Sequence, residues 1–230
     1  MCCRCVQAKP LDEIIRWWGE KIKVLINISD FRISYNVSPG QMLPVVFSHG
    51  GTVSLTLMKW GLPSGFQGKD KDHDFVSYNA RLETILQKKM FSQLMRGHRC
   101  VVLCSGYYEW KKENGKSVPF FIYAPGMKII PLGGIWAEES PSGQLCFSVI
   151  TKNPRRNLAG IHDRMPFLLA QDKLDRWIDG KYFPVNPEEE FSDHKSPLDF
   201  HQVAANVNSA KYDSPDCIVK TEIQEQGELF

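Results

Sequence analysis

The stretch RCVVLCSGYYEWKKENGKSVPFFIY, residues 99–123, decides the fold class that we expect. It contains three short runs rich in β-branched and aromatic residues, RCVVLC, YYEW and PFFIY, separated by polar segments. Runs of this length and composition are typical of β-strands. Similar runs occur on both sides of it, namely LPVVF, TVSLTL, KIIPLGGIW, LCFSVIT and MPFLLA. The sequence therefore predicts an α+β protein, predominantly antiparallel β, with a barrel-like sheet core.

Three segments with helical patterns interrupt the strand runs. We expect helices within residues 10–21, 83–97 and 172–180. The first has its apolar residues on one helical face, and the second and third each finish at a glycine, Gly97 and Gly180, which is a common helix end. A few short helices around a larger sheet are expected to lie at its periphery.

The size and composition indicate one globular domain. The chain has 230 residues, of which 43% are hydrophobic and 23% charged, with a formal net charge of +2. This is enough apolar surface for a full core, and the net charge is too small to indicate nucleic-acid binding by itself. We assign a single domain to residues 2–219 and a flexible, charged tail to residues 220–230.

The cysteine pattern argues against a secreted disulfide scaffold. There are seven cysteines, an odd number, and no charged leader followed by an apolar segment. The apolar runs are too short to span a membrane. The cluster CCRC lacks a later C-x-x-C partner, so it does not match a zinc site. We therefore expect reduced thiols, no metal, no cofactor and no membrane association.

Three segments contain residues suited to chemistry. Asn79 and Arg81 lie just before a predicted helix, and Glu109 lies among aromatic strand residues, where a buried acid is costly unless it is paired or functional. His162 and Arg164 belong to an apparent loop, IHDRMP. Each segment alone also fits an ordinary structural role: a helix-capping region with a surface arginine, a strand, or a surface turn.

Taken in order, several motifs resemble one family. These are MC-R, YNVSPGQMLPVV, KWGLPSGF, YNARLET, RCVVLCSGYYEWKK, PFFIYAPG, GGIWAEE, FSVITKNPRRNLAGIHDRMPFLL and VAANVNSAKYDSPDCI. The series resembles the SRAP family, the SOS-response-associated peptidase-like proteins that act on abasic sites in DNA. The resemblance extends from Cys2 to Ile218, and it implies the SRAP fold.

The resemblance also implies a set of catalytic residues. In this family the initiator methionine is removed, and the cysteine that follows, here Cys2, reacts as the N-terminal residue. The other positions match Asn79, Glu109 and His162. An N-terminal amine and thiol together can convert the open aldehyde of an abasic site into a stable thiazolidine, a covalent DNA–protein crosslink that shields the lesion.

The expected partner is single-stranded DNA that contains abasic sites. Four basic residues match positions that the family uses for phosphate, namely Arg4, Arg81, Lys89 and Arg164. Three further residues are expected to pack against unstacked bases, namely Pro39, Trp60 and Phe66. We expect a monomer that contacts proteins of the replication fork, located with the nucleoid or cytoplasm in a bacterium and in the nucleus in a eukaryote.

Two other interpretations remain open. The same Cys2 can serve an N-terminal-nucleophile thiol peptidase or hydrolase, with Glu109 and His162 as acid–base helpers. Alternatively, the chain is a non-covalent single-strand DNA-binding module whose N-terminus stays blocked. The sequence also departs from the family pattern, since Cys3 replaces the usual glycine and Phe66 stands where tryptophan is frequent.

Overall fold

The computed structural model describes residues 4–19, 21–63, 75–193 and 195–221. The strands are β1 (Cys5–Gln7), β2 (Lys23–Val24), β3 (Ser34–Val37), β4 (Met42–His49), β5 (Thr52–Trp60), β6 (Leu62–Pro63), β7 (Val76–Ser77), β8 (Asn79–Arg81), β9 (Arg99–Cys104), β10 (Gly106–Glu113), β11 (Lys116–Tyr123), β12 (Ile130–Glu139), β13 (Gln144–Lys152), β14 (Met165–Pro166) and β15 (Asp199–Gln202). The helices are α1 (Leu11–Trp18), α2 (Lys89–Leu94), α3 (Leu174–Ile178) and α4 (Pro187–Phe191).

Five strands form a closed ring, which confirms the predicted barrel. The strand order β13-β12-β9-β4-β5 is antiparallel throughout. A parallel pairing between β5 and β13, in which Lys59 opposes Cys146 and Trp60 opposes Phe147, closes the ring. Strands β2, β8 and β14 attach to its outer positions. Closure removes the unpaired edges that an open sheet of these strands would expose.

Alternation along the strands divides the apolar residues between two clusters. In β9, Cys100, Val102 and Cys104 belong to one buried cluster, and Val101 and Leu103 belong to the other. The second cluster also contains the apolar side chains of α1, α2 and α3. Because successive strand residues point to opposite faces, the RCVVLC run can be buried on both sides without breaking the period of two.

A second sheet brings the start of the chain beside the motif that contains Glu109. Its strand order is β15-β11-β10-β1-β3. Strand β1 runs antiparallel to β10 with Cys5 opposite Tyr107, and the Tyr108 N–H donates a hydrogen bond to the Arg4 carbonyl at 3.0 Å. The predicted YYEW strand is therefore the neighbour of the N-terminal strand.

The helix predicted over residues 83–97 is wrong in extent. The chain first makes a single 3₁₀ turn at Leu82–Thr84, and α2 follows only after Lys88, whose extended backbone (ψ 115°) interrupts the helix. The break allows Leu82, Ile85 and Phe91 all to reach the same buried cluster. Tertiary packing therefore overrides local helix propensity here.

The other two predicted helices are present, with shorter bounds. Helix α1 lies within residues 10–21, and α3 lies within residues 172–180. The MPFLLA run forms only the two-residue strand β14, followed by isolated bridges at Leu168 and Leu169. None of the described helices has the length and apolar character that a bilayer-spanning segment requires.

Arg99 is a buried cation that joins β9 to the ends of two helices. Its guanidinium donates to the carbonyls of Met95, Trp177, Asp179 and Tyr182. These carbonyls lie at or just beyond the C-terminal ends of α2 and α3, where helix carbonyls lack partners within the helix. Burial lowers the pKa of Arg99 to about 10, so the group stays charged at neutral pH.

We predict that Arg99→Lys destabilises the fold by about 3 kcal/mol or more. A single ammonium cannot reach all four carbonyls, and each carbonyl left unpaired in the interior costs about 1–3 kcal/mol. Urea unfolding followed by far-ultraviolet circular dichroism measures the change. The matched control is Arg96→Lys, since Arg96 is exposed and lies over the Phe183 ring at 4.8 Å. An equal loss of stability in both variants would contradict this role of the Arg99 hydrogen bonds.

Candidate active site

Glu109 is a carboxyl buried on β10. Only 2% of the residue is exposed, and across the sheet it opposes Phe120. Within the described residues, its Oε1 atom has no hydrogen-bond partner. Burial raises the pKa of Glu109 to about 8, and the charge of Asp163 acts in the same direction. The carboxyl is therefore mainly protonated at neutral pH, and it is a proton donor in a site where an ordinary glutamate would be ionised.

His162 lies opposite this carboxyl. Its Nε2 atom is 3.9 Å from Glu109 Oε2, and burial lowers the pKa of the imidazole. Its Nδ1 atom contacts the Arg164 N–H at 3.0 Å and Asp163 Oδ1 at 2.9 Å, two contacts that require opposite tautomers. Either contact leaves Nε2 facing Glu109. Two acid–base groups that are mainly neutral near pH 7 thus face one another.

Arg164 is held in a network beneath the histidine loop. Its two Nη atoms bind the Glu83 carboxylate in bidentate fashion, at 2.9 and 2.8 Å. It also donates to Asn153 Oδ1 at 3.1 Å and to the Thr151 carbonyl at 2.7 Å. The residue is 9% exposed. Its guanidinium is therefore committed largely to contacts within the protein.

Asn79 and Arg81 are placed by β8, which runs parallel to β13. Asn79 opposes Val149, and Arg81 opposes Thr151. Both residues line a cavity of about 320 Å³. The lining also includes Phe75, Lys88, Thr151 and Arg164. Since Arg164 is two residues from His162, this cavity adjoins the loop that carries His162.

The structure corrects the expectation for Trp60. Its ring is fully buried, it stacks near Phe147 with centroids 6.1 Å apart, and its Nε1 donates to the Tyr78 carbonyl at 2.8 Å. A base cannot stack on an enclosed ring. Because Tyr78 directly precedes Asn79, the indole instead anchors the chain at the start of β8.

The remaining predicted DNA contacts differ in their surroundings. Arg4 donates to Asn36 Oδ1 at 2.6 Å and to the Val207 carbonyl at 2.8 Å. Lys89 is exposed at the first position of α2, and Pro39 is half-buried in the turn between β3 and β4. Cys2 and Phe66, which were also predicted as site residues, lie outside the described residues.

Two residues of the site were not predicted from the sequence. Glu83 is the first residue of the helix predicted over residues 83–97, and in the structure its carboxylate holds Arg164. Lys88, rather than its neighbour Lys89, lines the cavity. Their positions in the YNARLET motif and next to Lys89 were the available signals, but which neighbour of a basic pair faces the cavity depends on where α2 begins.

A second and larger concavity has a different character. It has a volume of about 750 Å³ and is lined mainly by apolar residues of α1 and of the segment from Val24 to Ile33. Asp12 in its lining is already paired with Arg16. Its apolar lining does not suit acid–base chemistry, so the site around Glu109 is the better candidate. No cluster of three or more metal-ligating side chains occurs in the part of the chain that the structure describes.

Comparisons with known proteins agree on one family. The family model "SOS response associated peptidase (SRAP)" matches residues 1–210. The abasic site processing protein HMCES of Gallus gallus is 30% identical over 227 residues, which cover 84% of this chain and 68% of that protein. The abasic site processing protein YoqW of Bacillus subtilis (strain 168) is 27% identical over 228 residues, which cover 95% of this chain and 99% of that protein.

A solved structure shows the same fold. The crystal structure of a protein from Bacteroides thetaiotaomicron superposes with a TM-score of 0.81, covering 96% of this chain and 100% of that one at 21% sequence identity. This likeness supports the architecture of the closed ring and the second sheet. The match of the family model over residues 1–210 and the 30% identity with the Gallus gallus relative show that the chain belongs to the SOS response associated peptidase (SRAP) family.

Proposed function

We propose that this protein senses abasic sites in single-stranded DNA and forms a covalent crosslink with them through Cys2. The observation that carries the proposal is the register of β1 against β10. The Arg4 carbonyl accepts the Tyr108 N–H, so Arg4 lies beside the residue that directly precedes Glu109 on β10. Cys2 is two residues from Arg4, and its Cα can be no more than about 7 Å from that of Arg4. The names of the HMCES and YoqW relatives support the same substrate.

The proposed reaction begins once Met1 is removed. The α-amine of Cys2 attacks C1′ of the ring-opened sugar, and loss of water gives a Schiff base. The Cys2 thiol then adds to the same carbon, its proton passes to the nitrogen, and a five-membered thiazolidine closes. An α-amine titrates near 7.7–8.0 and a thiol near 8.5, so both nucleophiles are accessible near neutral pH. Ring closure prevents the imine from promoting strand cleavage.

Glu109 and His162 supply the proton transfers in this proposal. The protonated Glu109 carboxyl donates a proton to the sugar oxygen during ring opening and to the hydroxyl that leaves as water. His162, 3.9 Å away, accepts and returns protons and assists reversal of the crosslink. Asn79 orients the sugar and the N-terminus by hydrogen bonds. Holding aldehyde, amine and thiol together contributes on the order of 7–11 kcal/mol through effective molarity.

Arg81 and Lys89 are the best placed of the proposed phosphate contacts. Both are exposed, and Arg81 lines the cavity together with Lys88. Arg4 and Arg164 are bonded within the protein, so in this proposal they add positive charge to the same region more than direct contacts. Single-stranded DNA is favoured because the abasic sugar of a duplex would first have to be turned out of the helix to reach the amine and thiol of Cys2.

A thiol peptidase is the second candidate, and the family description that includes the word peptidase favours it. It would use the freed Cys2 against an amide carbonyl, with the same Glu109–His162 pair. A non-covalent DNA-binding module is the third. The intact mass of the purified protein distinguishes the last from the others, since a retained or blocked Met1 leaves no N-terminal aminothiol.

We predict that Cys2→Ala abolishes the crosslink, because alanine retains the amine but cannot close a thiazolidine. Wild-type protein incubated with single-stranded oligonucleotide carrying one abasic site should give a heat-stable adduct on a denaturing gel. Cys3→Gly is the matched control and should keep the adduct, since Cys3 has no free amine. An undiminished stable adduct from Cys2→Ala would contradict the thiazolidine mechanism. An inactive Cys3→Gly variant would mean that the nucleophile is misassigned.

We predict that Glu109→Gln changes the pH dependence of stability. The folded pKa of about 8 lies above the usual value, so between about pH 5 and 8 the unfolded chain loses a proton that the folded protein keeps. The contribution of Glu109 to stability is therefore complete at low pH and declines as pH rises, by up to about 1.4 kcal/mol per pH unit. Glutamine removes this slope, as measured by urea unfolding at a series of pH values. The control Glu113→Gln changes a partly exposed residue at the end of β10 and should keep the wild-type slope. A Glu109→Gln profile parallel to that of wild type would refute the raised pKa of Glu109.

We predict that Arg81→Ala weakens DNA affinity and reduces its dependence on salt. Removing one phosphate contact should lower the slope of log K against log salt by about 0.7 for a single strand. Fluorescence anisotropy with labelled single-stranded DNA at several salt concentrations measures both quantities. Arg16→Ala is the control, because Arg16 is exposed on α1 and paired with Asp12 away from the cavity. Identical slopes in wild type and Arg81→Ala would exclude this phosphate contact.

A further inference from the structure

We propose that Glu83 is a positioning residue, which holds the loop of His162 so that the imidazole faces Glu109. This inference rests on the proposed function for its effect on rate, but its structural part does not require DNA. Glu83 belongs to the 3₁₀ turn Leu82–Thr84, directly after β8, and its carboxylate binds the guanidinium of Arg164. It acts through Arg164.

The Glu83 carboxylate joins both ends of the loop that carries His162. At one end, Oε1 accepts the Asn153 N–H at 3.2 Å. At the other end, the two carboxylate oxygens accept the Nη1 and Nη2 groups of Arg164 at 2.9 and 2.8 Å. One side chain therefore ties residue 153 to residue 164. The ten residues between them include His162.

Arg164 connects the Glu83 carboxylate to the imidazole of His162. The Arg164 backbone N–H contacts His162 Nδ1 at 3.0 Å, so the position of the Arg164 backbone influences the ring. Its side chain is fixed by Glu83, by Asn153 Oδ1 and by the Thr151 carbonyl on β13. Of these, Glu83 alone supplies a negative charge and two parallel hydrogen bonds, which is the strongest geometry available to a guanidinium.

The charge state of Glu83 suits this role. Partial burial opposes its ionisation, but the hydrogen bonds from Arg164 and from the Asn153 backbone outweigh it, and the pKa of Glu83 is lowered. Removing the carboxylate would leave Arg164, which is 9% exposed, with only neutral acceptors. A buried cation deprived of its anion shifts towards water, and the loop moves with it.

Glu83 also connects the two halves of the site. It follows Arg81 by two residues, and Arg81 lines the cavity in register with Thr151 of β13. Arg81, the proposed phosphate contact, is thus only two residues from Glu83, which sets the position of His162. A displacement of about 1 Å at a reacting group is enough to cost up to a hundredfold in rate.

The first test separates positioning from DNA binding. The rate of adduct formation is measured against the concentration of abasic single-stranded DNA for wild type, Glu83→Gln, Glu83→Asp and the control Glu113→Gln, whose carboxylate has similar exposure (41% against 37%). We expect Glu83→Gln to lower the saturating rate ten- to a hundredfold without raising the half-saturating DNA concentration. Aspartate, which keeps the charge, should recover part of the rate, and Glu113→Gln should match wild type.

The second test needs no DNA. Nitrogen-15 NMR of histidine-labelled protein reports the protonation of each ring nitrogen, and Glu83→Gln should change the Nδ1 and Nε2 shifts of His162 at constant pH while those of His201 stay as in wild type. Unchanged His162 shifts, or a rate loss that comes only from weaker DNA binding, would overturn the proposal. If Glu83→Gln does not fold, Glu83→Asp carries both measurements. If wild type forms no adduct, the proposed function fails, and the NMR result still decides the role of Glu83.

Discussion

The hydrogen-bond register of β13 is the constraint on which the rest of the structure depends. This strand pairs with β12 on one side and with β5, β8 and β14 along its length. The pairing of Trp60 with Phe147 closes the ring, and the next residues of β13 pair with β8 to position Asn79 and Arg81. A shift of one residue in this register would turn every one of these side chains to the opposite face. Barrel closure and site geometry therefore have the same origin.

The largest unfavourable contribution of the site to stability comes from the desolvation of one buried carboxyl, that of Glu109. Glu109 lies among aromatic and apolar side chains, and burial favours its neutral form over the ionised form. The same desolvation that makes the group unfavourable for stability at neutral pH makes it a proton donor there. Arg164 shows the opposite solution, since its buried charge is matched by the Glu83 carboxylate at two points. His162 therefore contacts the neutral Glu109 carboxyl through Nε2 and the backbone N–H of Arg164 through Nδ1.

Some aromatic residues near the site are buried in the core and others are exposed beside the cavity, and residue type does not indicate which. Trp60 is enclosed and supports β8 through the Tyr78 carbonyl, whereas Phe75 is 58% exposed and lines the cavity. Aromatic side chains commonly stack on bases, but here Trp60 stabilises the scaffold and Phe75 borders the cavity. The difference follows from burial, since Trp60, the last residue of β5, is enclosed in the same apolar cluster as Phe147 and Val149 of β13.

The sequence by itself determined the fold class, the strand runs and the pattern of motifs that indicates the SRAP family, because strand periodicity and motif order are local properties of the chain. It also singled out Glu109, since an acid among aromatic strand residues is conspicuous by residue type alone, whereas His162 was indicated by the family resemblance. Only the tertiary structure decided that these two side chains face each other at 3.9 Å, that Trp60 is enclosed, and that Glu83 ties Asn153 to Arg164. These relations join residues as much as 81 positions apart. They depend on the pairing register of the strands and on where α2 begins, which are set by packing of the whole core and cannot be read from any local pattern.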